Sequence, residues 1–374
     1  MKQLISINLP INLLDSDNLL FKPIKDYVIT VPKIEKLKNV FVTNNGFVLK
    51  NGTLNSKSGL NLKSKHDHTF YFEYWKTALE QNFVCKLGKS LPSIHLKEKT
   101  YLLIHSKWLN YSFWITEYLQ RLTRVEQETG LDNLVLLYPE EWDSIPYITE
   151  SLKAFNIAHY RIPSGHHLFV DNLILPETRE ITAFFCPEHI QLVRNRLLKE
   201  AKKRSSLSNT PKKIYLTRGK NVKRAIANED ELQICFLEND FDIVSFDNLT
   251  IWDQIIYINN TDILFTNHGA GFANAMFMEP NKIALEFLEK DFAHYANPFP
   301  HWKLASAVNV HYAYQFCRSD KTKDIPYTHL KNTTAEKRIE HVDRNIIVNL
   351  DELKKNIRFC ENYLKIHLNK YKCT

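Results

Sequence analysis

The residues best suited to chemistry lie in one short turn, Asn267-His-Gly-Ala-Gly271. An apolar run at 263–265 predicts a buried strand before this turn, and a helix is predicted to begin at Phe272. Unpaired N–H groups and the positive end of a helix dipole favour a bound anion, so the turn is suited to phosphate. The next predicted strand, 283–287, carries Glu286, an acid that could bind ribose hydroxyls as in dinucleotide folds. The sequence therefore predicts the nucleotide half of a nucleotide-sugar site.

Positively charged and amide side chains precede the turn and could complete an anion site. Arg218 ends a predicted strand at 212–218, and a guanidinium can donate two parallel hydrogen bonds to phosphate oxygens; a surface salt bridge is the alternative. Arg224 could contact phosphate or could pair with Glu229. Asn228 suits the N-cap of the helix predicted from Glu229, so these two residues have a structural alternative to substrate binding.

The turn itself offers two kinds of hydrogen-bond donor. Its backbone N–H groups could bind phosphate, and His268 could donate to phosphate or orient the sugar. Asn274, one helical turn beyond Ala270, could reach a pyrophosphate or lie on a solvated helix face. The candidate substrate-binding residues are Arg218, Arg224, Asn228, Glu229, Gly269, Ala270, Gly271, Asn274 and Glu286.

These features occur in one order over residues 212–289, and in that order they resemble glycosyltransferase family 61. That family contains plant xylosyl- and arabinosyltransferases, animal O-linked N-acetylglucosaminyltransferases and many bacterial polysaccharide enzymes. An upstream segment, Asn110-Tyr-Ser-Phe-Trp114, is similar to the family's Asn-Tyr-x-His-Trp segment. Phe113 stands where the family usually has histidine, which argues against a catalytic role for that position here.

The resemblance implies an α/β fold of the GT-B type, with two facing Rossmann-like domains and a cleft between them. It implies that the C-terminal domain binds the nucleotide sugar and the N-terminal domain binds the acceptor. The implied reaction is inverting transfer of a sugar, xylose or N-acetylglucosamine, from a UDP-sugar to a glycan or polysaccharide. Glu117 matches an acid common at that place in the family and is the expected general base, although a solvated helix position would also explain it. His268 is the other expected catalytic residue.

Two further interpretations remain open. The motifs are suited to hold a diphosphate but do not distinguish one nucleobase from another, so a GDP- or CMP-sugar would also fit. A glycan-binding module that has lost catalysis is the third interpretation, and Phe113 favours it. The retained arginine, the glycine turn and Glu286 argue against it, because a pure binder does not need a diphosphate site.

Neither a metal nor another cofactor is expected, because guanidinium groups and a helix dipole can hold a diphosphate without one. Asp240-Phe-Asp242 is formally the Asp-x-Asp motif by which other glycosyltransferases bind a metal–nucleotide complex, but it lies between a predicted helix and a predicted strand. His66 and His68 have a spacing typical of metal ligands, yet no third ligand is evident.

The bulk composition excludes several classes of protein. With 44% hydrophobic and 24% charged residues, the 374-residue chain is globular and long enough for two domains. Its net charge of +7 is spread along the chain and does not indicate nucleic-acid binding. No apolar run is long enough to span a membrane, and six cysteines without paired spacing fit a reducing compartment. We therefore expect a cytoplasmic protein, with peripheral contact to the inner face of the membrane as an additional hypothesis.

Alternating strand and helix signals indicate two α/β domains. Residues 1–205 are expected to form the acceptor-side domain with a small antiparallel meander, and residues 206–374 the nucleotide-sugar domain. The polar stretch 204–211 is the predicted linker. Residues 350–370 are predicted to form an amphipathic helix that returns to the N-terminal domain, and a basic membrane contact is the alternative.

Overall fold

The computed structural model of the protein describes residues 2–51, 53–58, 93–106, 109–177, 185–219, 224–289, 299–320 and 344–371. His66 and His68, considered above as metal ligands, lie outside these ranges.

The chain divides into two compact units. The first contains Met1–Gln3 and Ile29–Thr182, and the second contains Leu4–Val28 and Ala183–Thr374. The stretch 204–211, predicted to be the linker, therefore lies inside the second unit.

The strands and helices alternate over much of the described chain. The strands are β1 (Lys2–Ser6), β2 (Asp26–Thr30), β3 (Ile34–Val42), β4 (Val48–Lys50), β5 (Thr53–Leu54), β6 (Ser93–Leu96), β7 (Thr100–Leu103), β8 (Leu134–Pro139), β9 (Ala158–Ile162), β10 (His167–Pro176), β11 (Lys213–Leu216), β12 (Asp242–Val244), β13 (Ile263–Asn267), β14 (Ile283–Glu289), β15 (His311–Ser319) and β16 (Ile346–Ile347). The α-helices are α1 (Asn18–Phe21), α2 (Tyr111–Phe113), α3 (Leu119–Thr129), α4 (Pro146–Leu152), α5 (Pro187–Arg204), α6 (Glu229–Leu237), α7 (Ile251–Asn260), α8 (Pro300–Ala307) and α9 (Leu350–Tyr371). Short 3₁₀ helices occupy Asp15–Asp17, Lys22–Ile24, Glu140–Ser144 and Ala270–Phe277, and a π-helical turn, Trp114–Tyr118, joins α2 to α3.

The first unit is built on one mixed sheet with the strand order β5-β4-β3-β10-β7-β8-β9, and β6 pairs with β10. Strands β7 to β10 are parallel, whereas β3, β4 and β5 are antiparallel and form one edge of this larger sheet. The predicted meander is thus found in part, because its first strand, β2, pairs with β1 in a separate two-stranded sheet. Gly46, between β3 and β4, has φ +80°, and a Cβ there would lie 2.5 Å from the carbonyl oxygen of His105. Both the turn conformation and the close approach therefore require glycine at this position.

The second unit contains a six-stranded sheet with the order β12-β11-β13-β14-β15-β16. All neighbours from β12 to β15 are parallel, and β16 is antiparallel to β15. Counted along the chain, the parallel strands have the order 2-1-3-4-5, a doubly wound arrangement in which ligands bind at the carboxyl ends of the first and third strands. The expected α/β class is confirmed, and this strand order makes the carboxyl ends of β11 and β13 the expected position for a ligand.

An N-terminal segment completes the second unit. Asn12 makes two hydrogen bonds with the backbone of Tyr314 in β15, donating from Nδ2 to the carbonyl oxygen at 2.7 Å and accepting from the amide at 3.2 Å. The ring of Phe21 stacks on Phe299 with a centroid distance of 4.2 Å. Residues 4–28 thus pack on β15 and on the start of α8, which lie far away along the chain.

The C-terminal helix α9 belongs to the core of the second unit. Its apolar stripe, Leu353, Ile357, Cys360 and Leu364, is buried in the same cluster as Phe236. The apolar surface of these residues is covered within their own unit. That the helix returns to the N-terminal domain stays a prediction. No helix in the described part of the chain is long and apolar enough to cross a membrane.

Candidate active site

Two loops meet at the point where the strand order of the second unit reverses. β11 ends at Leu216 and is followed by Arg218, while β13 ends at Asn267 and is followed by residues 268–271. The two strands are neighbours in parallel register, with Leu216 opposite Thr266, and the Thr266 hydroxyl donates to the Leu216 carbonyl at 2.9 Å. The predicted arginine and the predicted glycine turn are therefore brought together at the carboxyl edge of the sheet.

Arg218 is packed directly against the turn. Its Nη1 donates to the carbonyl oxygen of His268 at 2.9 Å. A Cβ added to Gly269 would lie 2.4 Å from the same Nη1, and Gly269 has φ +152°, which side chains rarely adopt. The absent side chain of Gly269 is what allows the guanidinium to approach the backbone.

Arg224 is held beside the same turn by its backbone. It has φ +61°, uncommon for a residue with a side chain, and Asn267 donates from Nδ2 to its carbonyl oxygen. Burial lowers the pKa of His268 to about 4, and the positive charge of Arg224 acts in the same direction. Two cationic side chains, Arg218 and Arg224, thus lie beside the turn. Their binding of substrate stays a prediction.

The helix after the turn is a buried 3₁₀ helix, Ala270–Phe277, where an α-helix was predicted. Asn274 is 2% exposed, and its Nδ2 donates to the Gly271 carbonyl at 3.1 Å. The alternative of a solvated helix face for Asn274 is therefore wrong. Its predicted contact with pyrophosphate stays a prediction.

Glu286 is the centre of a hydrogen-bonded cluster. Its carboxylate is fully buried, and Nδ1 of His268 and Nδ1 of His301 both lie 2.5 Å from its Oε1. The hydroxyl of Tyr312 donates to Oε2 at 2.7 Å. Burial opposes ionisation of this carboxyl, but His301 and His268 outweigh it and hold the pKa of Glu286 well below its ordinary value. An ionised carboxylate only accepts hydrogen bonds, so both imidazoles carry a proton on Nδ1.

This arrangement bears on the ribose contact predicted for Glu286. Both of its oxygens are engaged by side chains of the protein and neither is exposed, so a ribose hydroxyl would have to displace one of these donors. β14 also continues beyond its predicted end, and the acid at its carboxyl end is Glu289. Glu286 lies in the middle of the strand, where it holds imidazoles.

His268, Glu286 and His301 are also close enough together to be considered as ligands for a metal ion. The nitrogen-to-oxygen separations of 2.5 Å fit shared protons. Ligand atoms at about 2.0–2.2 Å from one ion would instead lie roughly 3 Å or more apart. The arrangement therefore fits protons better than a metal.

Asn228 and Glu229 have structural partners. Glu229 is buried and accepts from Tyr215 at 2.8 Å and Thr217 at 2.6 Å, which ties α6 to the end of β11. Asn228 stands at the N-terminus of α6 but does not cap it; its side chain instead exchanges two hydrogen bonds with the backbone of Val348. The structural alternative given for Glu229 describes its position, whereas the N-cap predicted for Asn228 is wrong.

The Asp-x-Asp motif lies at the other end of the sheet. Asp242 begins β12, an edge strand parallel to β11, and both Asp240 and Asp242 are exposed. The amino end of β12 is opposite to the carboxyl edge that carries the glycine turn. These two acids therefore do not contribute to the site after β13.

Glu117 lies in the first unit, within the π-helical turn Trp114–Tyr118, and it is 4% exposed. The solvated alternative for this residue is wrong. A π turn within an α-helix is rare and is frequent at functional sites, because it alters the direction of the side chains it contains. Its predicted role as a base stays a prediction.

Two residues of the cluster were missed by the sequence reasoning. His301 follows Pro300 at the start of α8, and Tyr312 lies in β15. The alternation Tyr312, Tyr314, Phe316 is a strand pattern that could have revealed β15 and its place beside β14. Nothing local in the sequence distinguishes His301 from other histidines.

A family model described as glycosyltransferase 61 matches residues 111–285. This match identifies residues 111–285 as a glycosyltransferase family 61 domain. The protein is accordingly a glycosyltransferase, which acts on a sugar donor and a glycan acceptor. The family 61 match includes Glu117, both arginines and the glycine turn, and it ends one residue before Glu286. No curated protein matches the chain.

Proposed function

We propose that this family 61 enzyme transfers a sugar, xylose or N-acetylglucosamine, with inversion from a UDP-sugar to a glycan or polysaccharide acceptor. The observation that supports a nucleotide-sugar donor most strongly is the packing of the Arg218 guanidinium on the Gly269 backbone at the reversal of strand order. This is the position at which doubly wound sheets bind nucleotides.

The diphosphate is proposed to bind over residues 268–271. The positive charges of Arg218 and Arg224 would attract it, and the N–H groups of Ala270 and Gly271, at the start of the 3₁₀ helix, would donate to its oxygens. In the transfer step the bond between the sugar and the diphosphate breaks, and the same cations stabilise the negative charge of the leaving group.

The nucleoside is proposed to occupy a cavity of about 900 Å³ at the carboxyl ends of β14 and β15. Its lining includes Glu289, Tyr314, Arg318 and Asn349. Glu289 is the acid at the end of the strand that follows the glycine turn, so in this proposal it takes the ribose role predicted for Glu286.

The acceptor hydroxyl requires a base, and Glu117 is proposed for that role. The GT-B architecture, the cytoplasmic location and a peripheral membrane contact stay predictions. A non-UDP donor and an inactive binding module remain the alternatives, and they differ in which nucleotide binds and in whether transfer occurs.

Replacing Arg218 by alanine is expected to weaken UDP binding by about 1.5–3 kcal/mol, the range for a hydrogen bond to a charged group, which is roughly 10- to 150-fold in Kd. Arg218→Lys should recover part of this affinity, because lysine keeps the charge but cannot donate two parallel hydrogen bonds. Titration calorimetry with UDP, GDP and CMP measures the change in Kd and identifies which nucleobase the protein prefers.

The matched control is Arg161→Ala, which removes an exposed arginine that pairs with Asp143 in the first unit at 2.5 Å. This variant should bind UDP like the parent protein. Equal UDP affinity in the parent and in Arg218→Ala would contradict the proposed diphosphate site. Preferential binding of GDP or CMP would keep that site and replace the donor.

Sugar transfer is expected to continue after treatment with a chelator, because arginines and backbone donors can stabilise the diphosphate without a metal. The measurement compares rates of transfer before and after EDTA treatment, with added Mn²⁺ as the test of reversal. Activity that is lost with EDTA and restored by Mn²⁺ would contradict this expectation and direct attention to the cluster of His268, Glu286 and His301 as metal ligands.

A further inference from the structure

One buried carboxylate in the second unit holds two imidazoles. Oε1 of Glu286 accepts from Nδ1 of both His268 and His301, and Tyr312 saturates the other oxygen. Nδ1 already carries a proton in each ring, so a further proton can be added only at Nε2. A single negative charge stabilises one imidazolium well, and a second imidazolium beside it is opposed by repulsion at a ring distance of 4.8 Å. The cluster is therefore built to accept one additional proton.

The groups around His268 determine when that proton is bound. Glu286 on β14 favours the imidazolium, while Arg224 and His301 oppose it, and burial is the largest opposing cause. The Arg218 guanidinium lies against the neighbouring carbonyl, and Tyr312 on β15 acts only through Glu286. Without a bound anion the balance lowers the pKa of His268 to about 4, so the ring is neutral near pH 7.

A bound diphosphate would reverse this balance. Its negative charge would offset the positive charge of Arg224, which opposes protonation, while Glu286 would keep its hydrogen bond to Nδ1 of His268. The environment of His268 would change from net repulsive to net attractive for a proton.

We propose that His268, held in position by Glu286 and His301, takes up one proton from solvent when a nucleoside diphosphate binds, so that an imidazolium faces the leaving group. This inference rests on the proposed diphosphate site. The new N–H bond forms at Nε2, and no other bond changes on binding. During transfer the imidazolium stabilises the charge that develops on the diphosphate. Glu286 and His301 are positioning residues in this scheme.

The test is calorimetry of UDP binding near neutral pH in buffers with different ionisation enthalpies, with His268→Asn as the control. Asparagine places a donor near the position of Nδ1 but has no group that titrates, and both proteins share the protonation of UDP itself. On binding UDP, the parent protein should take up close to one proton more than His268→Asn does. As pH rises, the UDP affinity of the parent should also fall more steeply than that of the variant, by up to about tenfold more per pH unit.

The failures of the two proposals are distinguishable. Binding of UDP with equal proton uptake in the parent and in His268→Asn would overturn this inference and leave the proposed function standing. A parent protein that binds none of the three nucleotides would overturn the proposed function, and this inference with it.

The positioning role of His301 is tested with two substitutions. His301→Asn keeps a hydrogen-bond donor to Glu286. His301→Leu removes that donor, so that His268 becomes the only imidazole bonded to the Glu286 carboxylate in the described cluster. In His301→Leu we expect a larger share of His268 to be protonated before UDP is added, visible in ¹⁵N spectra of the histidine rings, and proton uptake on binding to fall. His301→Asn should keep a neutral His268 and normal proton uptake. A neutral His268 and unchanged uptake in both folded variants would overturn the role of His301.

Discussion

Replacing Glu117 by glutamine is expected to lower the rate of sugar transfer by about 10²–10⁴, the usual contribution of a general base. Glutamine keeps the size and the hydrogen-bonding capacity of the side chain but cannot accept a proton from the acceptor hydroxyl. The affinity for UDP should stay unchanged, because the diphosphate is proposed to bind in the second unit. Steady-state kinetics and calorimetry on the same preparation measure both quantities.

Glu128→Gln is the matched control, since it makes the same change on α3, where Glu128 is exposed and pairs with Arg124. It should transfer sugar at the parent rate. If Glu117→Gln turns over within a few fold of the parent, Glu117 is not the base. Glu229 would not replace it, because that carboxylate is occupied by hydroxyls of its own unit. His268 would be the next candidate only if the proton uptake proposed above is not observed.

Replacing Gly269 by alanine is expected to remove most of the UDP affinity. At φ +152° and ψ −171° an L-residue is strained by about 1–3 kcal/mol, and the new methyl group would meet the Arg218 guanidinium. The turn, the arginine or both would have to move, which would separate the backbone donors from the cation. We expect at least about a tenfold increase in the Kd for UDP and a lower unfolding temperature.

The control for this substitution lies two residues further along. A Cβ on Gly271 would make only an ordinary contact of 3.7 Å with Leu216. Gly271→Ala should therefore fold with nearly the stability of the parent protein. A Gly269→Ala variant that matches Gly271→Ala in both stability and UDP affinity would show that the turn does not need its present shape.

The turn and its flanking strands could be predicted because the signals are local. A short apolar run, two glycines and a second apolar run are adjacent in the sequence, and parallel strands of one sheet end at a common edge. Arg218 and the turn were therefore expected together, and the sheet brings them into contact. The likeness of this stretch to family 61 added the nature of the reaction.

The environment of Glu286 could not be predicted in the same way. Whether that acid faces a ligand or the interior depends on β15 and α8, which supply Tyr312 and His301 from distant parts of the chain. The same limit applies to the N-terminal segment and to α9. Their amphipathic patterns indicate that one side of each is buried, but contain no information about which unit covers it.

The second unit combines two segments that are far apart along the chain, and this constrains when the unit can fold. Residues 4–28 leave the ribosome before residues 299–314, yet Asn12 and Phe21 bind partners in that later stretch. At about 5–20 residues per second, those partners are synthesised roughly 14–60 s later, after the entire first unit. During that interval the first unit can fold while the N-terminal segment still lacks β15, the strand it binds. The order of synthesis is therefore opposite to the order in which the second unit can be completed, and its folding must finish after translation has passed residue 314.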